Sequence, residues 1–550
     1  MNTKILNLNV GILGHVDSGK TSLAKVLSKI SSTASFDKNP QSQERGITID
    51  LGFSSLCLDL PDDMKNKLNL SCENLQFTFV DCPGHASLIR TVIGGAQIID
   101  MMILVIDITK GMQTQTAECL IIGEITCSKM IVVLNKIDLV PETKREQTIN
   151  KMKKKMKATL QHTKFKDVPI LCTAAKPGGP EADITVHPIG VEELIESLKS
   201  FSFVPERFSS KPFVFSVDHC FLIKGQGTVM TGTILQGSVG VNNTVEIPSL
   251  NVTKKIKSMQ VYRKSVEKAE QGDRVGICIT QLDAKLLERC ILCQPGYVPL
   301  AYAVIINANM VKYFKTNISS KAKFHVSIGH ETVLGKITIF GSRINLSDKF
   351  DFSYDYLYQN VMHGPEDDEP DFQNVQQFVL IEFEKPVFVV PHSLVIGSKL
   401  DLDINTSTCR LAFYGNVKES IEDKNYVNTI LPKLKLFKFK TKTGTVDRVV
   451  NEFELIVKNL FKKETKLELF LGLKVNLSSG EEGVIEQSFG QSGKVRIRVP
   501  QGLHKDTINK YANKKSKSSV PEIPENKEPT VVVLKFKSYV YDVKNKITQD

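Results

Sequence analysis

The stretch GHVDSGKTS, Gly14 to Ser22, places a glycine-rich loop after an apolar run and before an amphipathic one. Gly14, Gly19, Lys20 and Thr21 fit the phosphate-loop spacing. Glycines let backbone N–H groups close around phosphates, Lys20 sets a cation between the β- and γ-phosphates, and the Thr21 hydroxyl binds magnesium. Asp17, Ser18 and Ser22 belong to the same expected nucleotide contacts. In VDCPGH, Asp81 can hold the magnesium shell through water, and the Gly84 N–H can meet the γ-phosphate. In VVLNKIDLV, Asn135, Lys136 and Asp138 follow a buried run. A carboxylate there accepts the N1–H and amino hydrogens of guanine, a pair of donors that adenine lacks, so the wrong base leaves a buried charge unpaired. CTAAKPGG fits a base-closing loop with Ala174 and Ala175 presenting backbone amides. In QERGITIDLGF, Thr48 can complete the magnesium octahedron and close over the γ-phosphate, ordering with the triphosphate and releasing after cleavage. Each motif alone also reads as an ordinary turn or strand edge; their succession along one chain makes a GTP/GDP site.

The elements that must hold these loops are legible as a pattern. LNVGIL, LQFTFVD, MMILVID, MIVVLN and PILCTAA read as buried strands, and the segments after Lys20 and after Pro141 as helices, which predicts a doubly wound, mostly parallel α/β sheet over residues 1–207. VPERFSSKPF breaks that pattern. Residues 211–300 then alternate with a period of two between regular turn signals, as a β-barrel does. A second β-rich block spans 301–432, with an acidic, proline-bearing loop expected to be mobile near 363–374, and a third spans 433–550. The fold class is thus an α/β GTPase domain followed by three β-barrel-type domains.

A chain of 550 residues is too long for one core. No window near twenty residues is continuously apolar and no basic-then-apolar leader opens it, so neither a membrane partner nor a secretory signal is expected. Eleven cysteines, many inside apolar runs, suit reduced thiols of the cytoplasm or nucleus. Cys290 and Cys293 in CILC have zinc-knuckle spacing without a second pair nearby; a β-hairpin with thiols and no structural zinc is expected. The net charge is +11, and residues 430–550 hold 24 Lys and Arg against 14 Asp and Glu, so nearly the whole excess lies in the last fifth. A basic appendage on a near-neutral body suits a polyanionic partner, and equally a well-solvated surface.

Taken together, GHVDSGKT, RGIT, DCPGH and NKID resemble the translational GTPases of the elongation factor Tu class. The resemblance implies that His85, directly after Gly84, orients the attacking water once the ribosome positions it, with Val16 and Ile47 as an apolar gate. It also implies that Asp17 assists a monovalent cation or the stimulated state. Catalysis of that kind is positioning and charge stabilisation.

KPFVFSVDHCFLIKGQGTVMTGTILQG is followed by no helix pattern and is no second phosphate loop. It resembles the second barrel of the same GTPases, which holds the aminoacyl end of a tRNA. Asp218-His219-Cys220 with Arg274 in QGDRVGICITQLD, and the distal CRLAF, LFKKET and FGQSGK, resemble the selenocysteine-specific elongation factors of animals. What this implies is GTP-dependent delivery of selenocysteyl-tRNA(Sec) to the ribosome at recoded UGA codons by a monomer. A selenol is ionised at neutral pH, so Arg274 and a donor from His219 would favour a selenolate, with Asp218 orienting the histidine. The bland reading is that Asp218 and Arg274 form a structural ion pair.

In the last block, KLKLFKFKTK is expected to put Lys433 and Lys435 on one strand face, then Lys438, Lys440 and Lys442 after a slip. GKVRIRVP aligns Lys494, Arg496 and Arg498. Such rows suit phosphates, and the resemblance implies the long arm of the tRNA and proximity to the selenocysteine-insertion hairpin RNA with its binding protein; edge lysines also guard against aggregation. Lys514, Lys515 and Lys517 read as a solvated loop, with a nuclear address as the alternative to a purely cytoplasmic protein. Two other readings stand beside this one: a gamma-subunit-type initiation factor carrying initiator tRNA, and a non-ribosomal GTPase switch with protein effectors.

Overall fold

Strand β1 (Lys4–Gly14) alternates its side chains between two cores: Val10 and Ile12 point to one, and Leu13 to the other. This is the computed structural model of the chain, and it describes residues 4–28, 30–31, 51–62, 64–65, 72–85, 88–179, 187–223, 227–262, 264–280, 282, 287, 289–342, 349–364, 375–401, 409–490, 493–512, 528–542 and 547–549. Ile47, Thr48, most of the 363–374 loop and Lys514, Lys515 and Lys517 lie outside the described residues. Among those described, no helix is long and apolar enough to cross a membrane.

After β1 come α1 (Lys20–Leu27), β2 (Ile30–Ser31), β3 (Gly52–Asp59), β4 (Cys72–Asp81), α2 (Ile89–Ala96), β5 (Met101–Asp107), α3 (Thr114–Thr126), β6 (Lys129–Asn135), α4 (Glu142–Leu160), β7 (Ile170–Cys172) and α5 (Val191–Phe201). The sheet runs β2-β3-β4-β1-β5-β6-β7; β1, β4, β5, β6 and β7 are parallel, while β2 and β3 join antiparallel at one edge. Leu23, Leu27, Leu194 and Leu198 from α1 and α5 fill one face, and Ile93, Leu120 and Met156 from α2, α3 and α4 the other. Parallel strands end together, so the loops after β1, β4, β5 and β6 gather at one rim.

The barrel that follows comprises β8 (Val214–Ile223), β9 (Gly227–Gln236), β10 (Ser238–Gly240), β11 (Thr244–Ile247), β12 (Val252–Val261), β13 (Lys264–Val266), β14 (Lys268–Glu270), β15 (Arg274–Ile279) and β16 (Cys290–Cys293). Its main sheet runs β11-β16-β8-β9-β15-β12-β13 and closes through β11–β12 around Phe215, Val217, Met230 and Ile277. The CILC segment is a strand paired with Val214–Val217, where the sequence suggested a hairpin. The next block, up to residue 422, is antiparallel: Leu300–Asn307 pairs with Gln376–Phe388 and Leu411–Ile421, and Lys323–Ile328 with Leu394–Ser398.

These parts form one unit, Met1–Ile339, Asn360–Gln373 and Gln377–Glu422; the second is Phe340–Gln359, Asn374–Gln376 and Asp423–Asp550. In the second, Leu436–Asn451, Glu454–Lys458, Lys494–Arg498, Glu482–Phe489, Lys474–Leu477 and Val531–Tyr539 pair in that order, and the last returns to the first. A ring of six strands leaves no edge around its core of Leu455, Val495, Ile497 and Leu534.

Candidate functional site

Gly19 sits at the N-cap of α1 with φ 90°, a left-handed backbone that glycine adopts without strain. The turn it makes buries Lys20, 5 % exposed, and its Nζ donates to the His15 carbonyl at 2.7 Å. Burial lowers the pKa of this lysine, the carboxylate of Asp81 opposing the shift. The Thr21 Oγ1 donates to Asp81 Oδ2 at 2.7 Å, joining the start of α1 to the end of β4. Gly84 comes so close that a methyl group on it would collide with Lys20 Nζ and lie 2.8 Å from the His15 carbonyl.

A cleft of about 700 Å³ opens here, lined among others by Val16, Asp17, Lys20, Thr21, Ser22, Gly84, His85, Asn135, Lys136 and Asp138. His85 is exposed at its mouth, and Ser18 is buried behind the loop. The Asp17 carboxylate faces the Lys110 ammonium at 4.0 Å.

Asn135 locks three loops: its Nδ2 donates to Ser18 O at 2.9 Å, and its Oδ1 accepts from Thr173 Oγ1 at 3.0 Å and Ala175 N at 3.1 Å. The base-closing expectation needs correction here. The Ala174 amide donates to Ile189 O at 3.0 Å and that of Ala175 to Asn135, so both serve the loop itself. Gly178 N is the amide that reaches Asp138 Oδ2, at 3.1 Å. Asp107 was missed by sequence reasoning. It lies in register with Asn135 and holds Lys136 Nζ at 3.0 Å. Burial pushes its carboxyl up, yet hydrogen bonds from Thr109 and Lys136 keep its pKa below the usual range. The signal available was its place at the end of MMILVID.

On the neighbouring barrel, β8 and β9 are in register at Val217↔Gly232 and again at His219↔Thr231, so Asp218 is the extra residue of a bulge. The bulge sets Asp218 and His219 on the same side of β8, although they are consecutive. Arg274 joins that side from β15, where it pairs with Thr233. Its Nη1 donates to Asp218 Oδ2 at 2.5 Å, with the two side chains 4 % and 6 % exposed. Asp218 is thus paired with Arg274, the structural ion pair that the sequence offered beside the orienting role. Arg274 Nη2 and Thr231 Oγ1 are buried with no hydrogen-bond partner among the described residues. The guanidinium carbon lies 3.0 Å from the centroid of the Phe53 ring, on β3 of the GTPase sheet.

In the six-stranded ring, the expected lysine row is broken. Lys433 ends the short turn Leu431–Lys433 and Lys435 precedes the strand, because Pro432 and the Leu431 and Leu434 anchors hold that segment as a turn. Lys438, Lys440 and Lys442 do share a strand face, with Lys442 Nζ over the Phe461 ring at 5.3 Å. The second row is aligned but not available as bare charge: Lys494, Arg496 and Arg498 meet Asp447, Glu454 and Glu486 at 2.9, 3.4 and 3.8 Å. Cys290 and Cys293 are buried thiols whose pKa values burial pushes up to about 12 and about 11; among the described residues no three His, Cys, Asp or Glu gather as metal ligands.

Residues 6–202 match the elongation factor Tu GTP binding domain, 305–415 the third domain of eukaryotic selenocysteine-specific elongation factors, and 432–545 the eEFSec C-terminal RIFT domain. The chain is 50 % identical over 579 aligned residues, covering 99 % of both chains, to a selenocysteine-specific elongation factor of Mus musculus. It is 32 % identical, over 88 % of this chain and 93 % of the relative, to that of Methanocaldococcus jannaschii. In structure it is similar to translation elongation factor SelB from Methanococcus maripaludis in complex with the GTP analogue GppNHp, with a TM-score of 0.67, 27 % identity and coverage of 98 % and 99 %.

Proposed function

The chain belongs to the selenocysteine-specific elongation factors, a family of translational GTPases, and from that premise we propose that it carries selenocysteyl-tRNA to the ribosome at recoded UGA codons and releases it on GTP hydrolysis. Arg274 carries the proposal. A guanidinium with one nitrogen on Asp218 and another buried without a hydrogen-bond partner among the described residues offers a second anion a charge-assisted hydrogen bond. A selenolate takes that bond; the neutral hydroxyl of the seryl precursor forgoes on the order of 1.5–3 kcal/mol. His219, facing Thr231 on the same side, supplies a further donor.

In the cleft, Asp138 reads the guanine base, Lys20 meets the phosphates, and His85 orients the attacking water. The Thr21 hydroxyl and the Asp81 carboxylate are an all-oxygen donor pair 2.7 Å apart, which fits Mg²⁺. The ion, when bound, neutralises charge on the β- and γ-phosphates. Thr48, Ile47 and a monovalent cation near Asp17 complete the proposed set. Basic residues of the last block, Lys440 foremost, contact RNA phosphates of the tRNA or of the insertion hairpin with its binding protein, and the protein acts as a monomer in the cytoplasm. Filter binding, in the presence of a GTP analogue, to selenocysteyl-, seryl- and methionyl-charged tRNA tests this reading. Tenfold or greater preference for the selenocysteyl form is expected; equal affinity for the selenocysteyl and seryl forms refutes the role given to Arg274.

A further inference from the structure

Between residues 142 and 157, helix α4 carries seven Lys and Arg against two Glu, a local excess that the near-neutral body conceals. Its long, unbranched side chains suit a helix, and its apolar residues turn one way. Met156 and Leu160 are buried, and Ile149 and Met152 pack against a neighbouring apolar cluster. The opposite side holds Lys144, Lys151 and Lys155 in one stripe, since steps of seven and four residues are close to two turns and one, with Lys154 beside it. All four are exposed, and none forms an ion pair or a side-chain hydrogen bond among the described residues. At about 1.5 Å per residue the stripe is about 16 Å long. Its place in the sheet is equally specific. Helix α4 links β6 to β7, whereas the barrel touches β3 and β4, where the Tyr262 hydroxyl lies 3.1 Å from Thr78 Oγ1 and 3.4 Å from Ser54 O. Four strand spacings, ~19 Å, separate β3 from β6.

We propose that this stripe of α4 is a docking surface for the phosphate backbone of ribosomal RNA, separate from the surface that holds the tRNA. The inference rests on the reading above that the ribosome is a partner. Three observations favour it. The stripe is made of lysines with no exposed aromatic or large aliphatic side chain among them, whereas protein interfaces concentrate aromatic residues and arginine and are depleted in lysine. An ammonium is a point charge that meets a phosphate without reading a base. Next, these charges are uncompensated, in contrast to Lys494, Arg496 and Arg498, each of which already faces a carboxylate. A polyanion arriving at α4 releases counterions and has no ion pair to break. Finally, the stripe belongs to the edge of the sheet away from the barrel, so a tRNA held by its aminoacyl end at Arg274 leaves it open to a second polyanion. Asp138 lies only four residues before α4 begins, so a grip on this helix also fixes the base-reading end of the nucleotide cleft.

The experiment measures binding of the full chain, loaded with GppNHp and selenocysteyl-tRNA, to ribosomes between about 50 and 200 mM salt. The native protein is compared with the triple variant Lys144→Gln, Lys151→Gln, Lys155→Gln and with the same three positions changed to Arg. Losing three phosphate contacts should reduce the slope of log affinity against log salt by about 2–3 and weaken binding at least tenfold at the low-salt end, while the arginine variant keeps the native slope. Affinities for GTP and for selenocysteyl-tRNA without ribosomes should stay within twofold. An unchanged slope in the glutamine variant overturns the proposal, and so does a matching loss of tRNA affinity, which would assign the stripe to the tRNA. A diazirine side chain at Gln147, on the same face between Lys144 and Lys151, identifies what lies against it. An adduct with ribosomal RNA is expected; an adduct with ribosomal protein only, or none, overturns the proposal. A native protein that does not bind ribosomes at all defeats the delivery reading instead, which separates the two failures.

Discussion

Glu118 and Arg410 share two hydrogen bonds, Arg410 Nε to Oε1 at 2.8 Å and Nη2 to Oε2 at 2.7 Å, with both side chains 5 % exposed. They lie on α3 and just before the strand Leu411–Ile421, so the helix behind the phosphate loop is tied to an antiparallel block nearly three hundred residues later. Removing one partner from such a pair strands a buried charge. Arg410→Met should lower stability by about 3–5 kcal/mol, and adding Glu118→Gln should recover part of it. Urea unfolding of the two single variants and the double variant checks this; additive losses would mean that the pair is not coupled.

A second prediction concerns the base. Asp138 accepts Gly178 N on Oδ2 and presents the rest of its carboxylate to the cleft. Asp138→Asn exchanges an acceptor for a donor, so guanine should lose roughly 3 kcal/mol of binding while xanthine gains. Competition between GDP and xanthosine diphosphate reads the outcome, and continued preference for GDP would remove Asp138 from base reading.

His85 lines the cleft directly after Gly84 and is exposed. His85→Ala should leave GTP affinity within a few-fold of the native value and cut ribosome-stimulated hydrolysis by about 10²–10⁴-fold. Turnover that survives the substitution means another group orients the water.

His15 makes stability depend on pH. It is 2 % exposed, its Nδ1 lies 3.1 Å from Thr116 Oγ1, and burial, aided by Lys20, lowers its pKa from 6.5 to about 4. The folded state therefore binds this proton less readily than the unfolded chain, so the contribution is complete above pH 6.5 and is lost as pH falls toward 4. Across that window it amounts to about 3 kcal/mol. Unfolding measured at pH 7, 5.5 and 4.5 should show a slope that His15→Gln reduces; equal slopes would refute the assignment.

In the last block, Lys440 forms no ion pair among the described residues, whereas Arg498 faces Glu486 at 3.8 Å. If RNA phosphates contact this ring, Lys440→Ala should reduce the salt slope of tRNA binding by about 0.7–0.9, and Arg498→Ala by less. Titrations from 50 to 200 mM salt decide between them.

The nucleotide cleft was legible because its residues sit at fixed offsets from strand ends, and strand ends are announced by apolar runs. LNVGIL, LQFTFVD and VVLN gave both the sheet and the rim where the loops meet. What stayed hidden is pairing between residues far apart in sequence. Nothing local marks Glu118 for Arg410, Phe53 for Arg274, or Glu454 for Arg496, since two charges or a ring and a charge carry no spacing rule. Periodicity also misled where proline intervenes: KLKLFKFK alternates on both sides of one slip, but Pro432 and the buried Leu431 and Leu434 hold its first part as a turn. The amides of Ala174 and Ala175 could not be foreseen as occupied, because their acceptors, Ile189 and Asn135, are set by the loop's closure.

The bulge in β8 has a consequence for anyone wishing to re-engineer which amino acid such a protein accepts. A regular strand would turn Asp218 and His219 to opposite sides of the sheet. Grafting an acid, an imidazole and an arginine onto a barrel of unbroken pleat would bring two of the three together and send the remaining one into the hydrophobic interior. The inserted backbone unit is thus as much a part of the recipe as any side chain, and a transplant that omits it should fail even with every functional group present.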